Sequence, residues 1–561
     1  MKVSLSQNIQ QQTFKTNQTD KQKANNQVSF KGAGVTALLD FLATNPVWGA
    51  TATDVGFMGT PTTSMEIYKR GWGYGFEAGF REYTSTLNDA SVGLYGLAAG
   101  TILAKTLSKH GITNPQRIFA SNESVDVHSS LWKANNGDMD KYIESYVDSI
   151  KGFNPNKTGA DAKGYVGVDP SCRKNIIEDM KILANDNLSS KERKTITQRL
   201  NARLVEATGA ESELLIKHGG KSVSSSVTTI TDDFYRMTRA LKEHGDASKV
   251  DSLVSGLKKF GKGRALLGLG AAMGISACFQ PINVWMTKKR TGSDGFGGDE
   301  SRSKDTSAAF KAKKLASMAA MGGIMLATLK ATPSQFLDRM LFKGTAPTID
   351  QFKGLYGTTI ISRMWMGRDN DELREIDIKS ILGYLNWLVL GNFVEKGVVM
   401  AKESKDNPLL RYNKENSKNG FLYKTFGEKV DKFFNSNITS RREIVTEALK
   451  AEGKSVLNAD GSAKKMKELL KDFEKLSNNA VAKKNLKLKT IAQIAGYAYS
   501  GIVLGAGVPY LNITVTNKVT KKRKEKEAIA KTVEMYQNNF YDKDIKQTSF
   551  ADMKKEYAKS A

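Results

Sequence analysis

Apolar and charged residues alternate along the chain in long blocks. Ala265–Met286 contains 22 residues without a charged side chain, and Thr490–Asn517 contains 28. A helix rises about 1.5 Å per residue, so each block is long enough to cross a hydrocarbon core of about 30 Å. We therefore predict two long apolar helices that span a membrane.

Shorter apolar blocks accompany the two long ones. Leu315–Leu329 and Ser380–Val394 are uncharged over 15 residues each. Such lengths suit buried, re-entrant or interfacial helices as well as short spans. Asn386, Trp387 and Asn392 favour an interfacial or protein-buried position for the second block. Further apolar, glycine-rich helices are expected between residues 33 and 104.

Two polar regions carry the periodicity of soluble helices. Ser190 with Arg193 marks a helix start and Gly209 its end. Ser440 and Glu443 form a capping-box pattern. Apolar residues at helical spacing predict core-facing stripes through Val227, Ile230, Phe234, Met237 and Leu241 and through Met466, Leu469, Leu470, Phe473 and Leu476.

The predicted fold is mostly α, a multi-helix membrane-associated protein that combines long and short apolar helices with polar helical domains. No βαβ rhythm is present in the sequence. The expected order is a disordered polar leader (1–32), an apolar helical region (33–114), a polar helical domain (115–260), apolar helices (261–401, with 265–286, 315–329 and 380–394), polar amphipathic helices (402–489), an apolar helix (490–517), and a basic helix and tail (518–561).

Composition adds a strong positive charge. The chain has 84 Lys and Arg against 58 Asp and Glu, a formal net charge of +26. Such a charge favours anionic partners, which are lipid headgroups or nucleic acid. The candidate contacts for anionic lipid follow the second long block: Lys518, Lys521, Lys522, Arg523, Lys524 and Lys526.

Catalytic and metal-binding patterns are not found. GLKKFGKG has Gly263 where a phosphate-binding loop needs a hydroxyl, and the four histidines are widely separated. The acidic stretch 369–377 has Leu373 where a calcium loop requires Asp or Asn, and we interpret it as a solvated helix start. Two cysteines exclude a disulfide scaffold. We expect no enzyme activity, no cofactor, no metal and no identifiable small-molecule substrate.

Small and polar residues on the long blocks are candidate helix–helix contacts. Gly270 and Gly274 form a small-xxx-small face, and Gly501 and Gly505 repeat that spacing.

The ends of the two long blocks resemble each other. Residues 281–291 (PINVWMTKKRT) and 510–520 (YLNITVTNKVT) share Asn283 and Asn512, each four residues before a threonine. Both asparagines are further candidates for hydrogen bonds between helices. We expect Pro281 and Pro509 to bend or end the helices. Whether the similarity is a true duplication is left open, as is the membrane orientation, because each block is basic on both flanks.

Three stretches resemble a known group of sequences. QVSFKG at the end of the leader, FREYTSTLNDASVGLYGLAAG and PINVWMTKKRTG are similar to an uncharacterised membrane-associated family of gut bacteria related to cyanobacteria. That resemblance implies no activity. It agrees with a non-catalytic integral protein of the bacterial inner membrane, with an envelope, scaffolding or transport-related role.

A second hypothesis is a soluble or peripheral basic helical protein that binds anionic lipid or nucleic acid. The mean hydropathy of −0.40 favours this alternative for the whole chain. The two long uncharged blocks favour the membrane protein. The sequence leaves the oligomeric state open.

Overall fold

The structure is a computed structural model. It describes residues 33–540, apart from 45, 109–118, 186, 245–249, 297–303, 345–346, 387–389, 404–407, 419 and 478, together with residue 555. The predicted polar leader and most of the predicted C-terminal tail lie outside the described residues.

The mostly α fold is confirmed, with about 77% helix and 5% strand. The first half of the chain forms α1 (Ala33–Thr44), α2 (Pro46–Thr53), a π-helical segment (Asp54–Gly59), α3 (Thr60–Arg70), α4 (Trp72–Ala90), α5 (Val92–Ser108), α6 (Asn122–Ala134), α7 (Met139–Ser149), β1 (Ile150–Phe153), β2 (Tyr165–Gly167), α8 (Pro170–Leu183), α9 (Ser190–Thr208), β3 (Leu214–His218), β4 (Lys221–Ser225), α10 (Val227–His244) and α11 (Val250–Thr291).

The second half continues with α12 (Ala308–Leu329), a 3₁₀ turn (Pro333–Gln335), α13 (Phe336–Arg339), α14 (Ile349–Met366), α15 (Asn370–Ile376), a π-helical segment (Asp377–Ile381), α16 (Leu382–Leu385), α17 (Gly391–Lys402), β5 (Leu410–Arg411), α18 (Lys414–Ser417), α19 (Phe421–Asn435), β6 (Asn437–Ile438), α20 (Arg441–Ala451), α21 (Met466–Glu474), α22 (Ala480–Ser500), a π-helical segment (Gly501–Gly507) and α23 (Val508–Phe540).

Two helices of the described chain are long and apolar enough to cross a membrane. One is α11, with 42 residues, and the other runs without interruption over Ala480–Gln537, through α22, the π-helical segment and most of α23. Helix α12 and the short helix after it would form a third span, bent by 63°. Neither Pro281 nor Pro509 ends its helix, and a bend at either proline stays a prediction.

Three hydrophobic cores organise the chain. The first joins α6–α10 and the N-terminal part of α11, from Val125 to Leu257, and the third joins α17, α20, α21 and the start of α22. Between them lies a core built on α11, α12, α14 and α15. Each stripe predicted from helical spacing is buried in the first or third core.

Local signals in the polar regions place the helix ends well. The capping box at the start of α9 uses Ser189 and Glu192, one residue before the predicted pair, and Gly209 ends the helix at φ +71°. The box of Ser440 and Glu443 forms as predicted.

One element was not predicted. The first polar region also contains an antiparallel sheet in the order β2-β1-β3-β4, whose strands are only three to five residues long. Strands of this length give too few alternations for the period-2 pattern to be recognised.

Two buried ionisable groups in the first core respond to pH in opposite directions. Burial lowers the pKa of His128 to about 3, where its ring contacts the hydroxyl of Tyr142 and stacks on Tyr146. Burial raises the pKa of Asp233 to about 7, against a hydrogen bond from Ser124 that lowers it. His128 therefore contributes stability above pH 6.5 that is lost as the pH falls, whereas Asp233 costs stability as the pH rises above about 4.

We predict that His128→Gln removes the acid-sensitive contribution. Between pH 7 and pH 4.5 the wild type should lose roughly 3 kcal/mol relative to the variant, since one pKa unit corresponds to about 1.4 kcal/mol. The stabilities of wild type and variant must be compared at each pH. Within either protein, Asp233 changes the stability in the opposite direction as the pH falls. The measurement is thermal unfolding of the full chain, monitored by tryptophan fluorescence at each pH. His218→Gln, at the end of β3, is the control; equal losses for wild type and His128→Gln would contradict the assignment.

Candidate functional site: a charged interior between the long helices

Helix α4 exposes its apolar side chains and buries its charged ones, which is the reverse of an amphipathic helix in a water-soluble protein. Its apolar stripe points outward, with Trp72 77% and Leu87 70% exposed. Its charged face is buried, with Glu77, Glu82 and Asp89 no more than 4% exposed. In a soluble protein the apolar stripe faces the core, and charged side chains are almost never fully buried unless they are paired. Apolar residues outside and charges inside are typical of a helix surrounded by lipid.

Arg368 is the central cation of this interior. Its Nε donates to Oε2 of Glu372 at 2.8 Å, and its Nη2 donates to Oε2 of Glu77 at 2.9 Å. Its Nη1 donates to the carbonyl oxygen of Gly295 at 2.9 Å. Arg368 and both glutamates are buried, so these charge-assisted hydrogen bonds replace the water that the charged groups lose.

The long helix α11 supplies neutral polar groups to the same cluster. Thr287 Oγ1 donates to Oε1 of Glu77 at 2.7 Å, and Gln280 Nε2 donates to Oε1 of Glu372 at 3.2 Å. Asn283 lies between them on the same helix face, fully buried and without a hydrogen-bond partner. The end of this apolar helix is thus tied to the buried charges.

The second long helix reaches the cluster from the other side of α15. Arg523 Nη1 donates to Oδ2 of Asp371 at 2.6 Å, and Arg374 Nη2 donates to Oγ1 of Thr516 at 3.5 Å. Helix α15 therefore links α11 and α23 through side chains on both of its sides.

This burial corrects the interpretation of residues 369–377 as a solvated helix start. Asp369 does cap the helix, accepting from the backbone N–H groups of Asp371 and Glu372. Asp371 and Glu372 are nevertheless 3% and 0% exposed. Some of their cationic partners are only three or four residues away. Gln280 and Arg523 come from distant segments, so the local sequence alone did not predict the burial.

A second group of charges surrounds Glu82. Lys379 Nζ lies 2.9 Å from its Oε1, and Arg363 Nη1 lies 3.6 Å from the same oxygen. Arg363 Nη2 also donates to the carbonyl oxygen of Arg81 at 3.0 Å. Lys379 lies in the π-helical segment after α15, so irregular helix brings it to Glu82.

Asp54 and Asp89 are two fully buried carboxylates near this network, and neither has a hydrogen-bonded cation among the described residues. Asp54 lies in the π-helical segment that packs against α4 and accepts a hydrogen bond from Thr86. Its Oδ1 and both carboxylate oxygens of Asp89 have no hydrogen-bond partner. Thr86, the partner of Asp54, lies three residues before Asp89 on α4. Two such buried carboxylates cannot both stay ionised without a bound cation or proton.

The four predicted glycines occupy two different environments. A methyl group added at Gly270 or Gly274 would meet nothing within 4 Å, so no described helix of this chain lies against that face. A helix–helix contact at Gly270 and Gly274 stays a prediction. Gly501 and Gly505 face Phe57, whose carbonyl oxygen would be 3.0 Å from a methyl group at Gly505.

Asn512 matches Asn283 in its placement. Asn512 is 2% exposed, and its Oδ1 has no hydrogen-bond partner. Both asparagines therefore face the protein interior, near the threonines that bond to the charged cluster. An interhelical hydrogen bond from either asparagine stays a prediction.

The candidate lipid contacts are also of two kinds. One set is exposed on α23: Lys518, Lys521, Lys522, Lys524 and Lys526. Arg523 is half-buried and paired with Asp371, so its charge serves the interior.

Sequence reasoning missed most of the charged interior. Glu77, Glu82 and Asp89 lie on the charged side of α4, opposite an apolar stripe through Trp72, Phe76, Tyr83 and Leu87. The apolar stripe could be recognised in the sequence. Without assigning α4 to a membrane, however, one would expect the stripe to face the core and the charges to face solvent. Among the described residues no group of three or more His, Cys, Asp or Glu side chains could hold a metal ion.

No family model, curated protein or solved structure matches this chain.

We predict that Arg368→Met destabilises the protein by about 3–5 kcal/mol, because it leaves Glu77 and Glu372 buried without their cation. Adding Glu77→Gln and Glu372→Gln should recover much of the loss, since the uncompensated charges disappear. The measurement is the unfolding midpoint of the detergent-solubilised chain. Lys141→Met, which breaks the exposed pair of Lys141 and Asp138, should have a much smaller effect on stability. An Arg368→Met effect as small as this would contradict a structural role for the cluster.

Proposed function

We propose that the protein is an integral membrane protein with a transport-related role. The observation that carries the proposal is the reversed helix α4, which exposes tryptophan and leucine while it buries three carboxylates. The two long helices support it, since most of each apolar window remains outside the protein core. Exposed Trp285 and Tyr510 lie where the apolar stretches end, as aromatic residues do at membrane boundaries.

The transport-related role rests on the buried ionisable groups. Charged residues in a membrane domain are costly, and they mark ion pathways and proton relays. Arg368, Arg363 and Lys379 neutralise Glu77, Glu372 and Glu82, whereas Asp54 and Asp89 have no cation hydrogen-bonded to them. We therefore assign Asp54 and Asp89 as the groups that exchange a proton during transport. Irregular π-helical geometry at Asp54 supports this assignment, because π-bulges are frequent at functional sites.

A second candidate is a peripheral protein that binds anionic lipid or nucleic acid. The exposed lysines of α23 favour it, because clustered positive charge is sufficient for either ligand. This candidate explains neither the outward apolar stripe of α4 nor the inward direction of its charges.

We predict that the protein remains in the membrane fraction after an alkaline carbonate wash, because α11 and the helix over Ala480–Gln537 cross the bilayer. Replacing Leu269 and Ala272 of α11 by Arg should shift the chain to the soluble or aggregated fraction. Replacing exposed Lys521 and Lys522 by Gln should leave the fractionation unchanged. Release of the wild type into the wash would favour the peripheral candidate.

We predict that Asp89→Asn abolishes proton movement. The protein would be reconstituted in vesicles containing a pH-sensitive dye, and the rate of internal pH change would be compared with that of empty vesicles. The wild type should exceed empty vesicles, and Asp89→Asn should not, because an amide cannot exchange the proton. Asp251→Asn removes a carboxylate whose side chain is 79% exposed and should behave as wild type. Wild-type and Asp89→Asn proteins with equal rates would contradict the role of Asp89.

A further inference from the structure

An open cavity of about 690 Å³ lies between the central core and the third core. It is bounded by the C-terminal end of α12, by α14 and α17, and by the N-terminal half of α22. Its volume is within the usual range for ligand pockets, about 300–1,000 Å³.

Four lysines and one glutamate line this cavity: Lys330, Lys353, Lys396, Lys489 and Glu395. Lys489 Nζ is bonded to Glu395 Oε1 at 2.7 Å, so these two charges neutralise each other. Lys353 donates to the carbonyl oxygen of Thr328 at 3.2 Å and lies 3.7 Å from Asp350. These two lysines therefore already have anionic partners.

Neither of the other two lysines has a carboxylate partner in the part of the chain that the structure describes. Lys396 Nζ donates only to the carbonyl oxygen of Phe434, at 3.2 Å. Burial lowers the pKa of Lys396, and the nearby positive charge of Lys330 lowers it further. A bound anion would relieve this repulsion, and the phenyl ring of Phe393 provides an apolar wall beside it.

The cavity lies at the level where apolar stretches begin and end. Lys330 directly follows the uncharged stretch 315–329, and Lys489 directly precedes the uncharged stretch 490–517. In the membrane arrangement proposed above, both lysines lie at one edge of the hydrocarbon layer. Basic pockets at this level between membrane helices bind the headgroups of anionic lipids.

We propose that this cavity is a binding site for a phosphate group, with Lys330 and Lys396 as its direct contacts. The phosphate can belong to an anionic lipid headgroup or to a free phosphate ion. The phosphate chemistry does not depend on the proposed transport role, and only the lipid source depends on the membrane assignment.

The test uses the full-length protein in a neutral detergent. Calorimetric titrations would compare three probes: a short-chain phosphatidylglycerol, a short-chain phosphatidylcholine and inorganic phosphate. Phosphatidylglycerol should bind. The double variant Lys330→Gln with Lys396→Gln should have an affinity roughly thirtyfold lower, because each basic residue near an anionic headgroup contributes to the binding free energy. Lys191→Gln with Lys194→Gln removes the same charge from the exposed face of α9 and should change the affinity by less than about threefold.

The titrations distinguish a lipid headgroup, a free phosphate ion and nonspecific attraction to positive charge. Binding of phosphatidylglycerol but not inorganic phosphate supports the lipid source, and competition by inorganic phosphate supports the free ion. Equal weakening in both double variants would show attraction to net charge alone and overturn the site, as would no binding of either anionic probe. If the Lys330 and Lys396 variant does not fold, protection of these two amines from acetylation in the wild type decides the question; unprotected amines at saturating probe would overturn the proposal.

Discussion

The interaction on which the packing around the two long apolar helices depends is the burial of Arg368 between Glu77 and Glu372. These three groups come from segments nearly 300 residues apart, and burying any of them alone would cost several kcal/mol. Arg368 can therefore be buried only when α4 and α15 are placed together, and α4 can present its apolar stripe outward only when its charges are satisfied inside. The ion cluster thus fixes the orientation of α4 as well as its position.

Helix α15 lies between the ends of the two long helices. Thr287 and Gln280 of α11 bond to Glu77 and Glu372, whereas Thr516 and Arg523 of α23 bond to Arg374 and Asp371. Both helix ends therefore need an apolar outer face and a polar inner face with helical spacing. Asn283 and Asn512 follow from the same requirement, because both lie on the inner face. The ends of the two long helices therefore share one kind of packing environment.

The sequence predicted those features that local or periodic signals determine. The two long apolar helices, the cap at Ser440 and the stripe from Val227 to Leu241 all depend on residues within one element. The charged interior could not be predicted in this way, because each charge is stabilised by partners far away in the chain. Glu82, for example, is neutralised by Lys379 and Arg363 from a different part of the bundle. The carboxylates of α4 resemble ordinary solvated residues until the direction of that helix is known.

The net charge of +26 conceals an uneven distribution. Lysines of α23 are exposed, and further lysines line the open cavity beside α12, whereas Asp54 and Asp89 lie in the interior without a hydrogen-bonded cation. A basic exterior attracts anionic headgroups, whose charge acts over only about 10 Å in salt solution. Buried carboxylates without a hydrogen-bonded cation favour a bound proton or cation, because their charge is costly at low dielectric. Lipid binding and proton exchange would therefore use opposite charges in separate places, so neither function would interfere with the other.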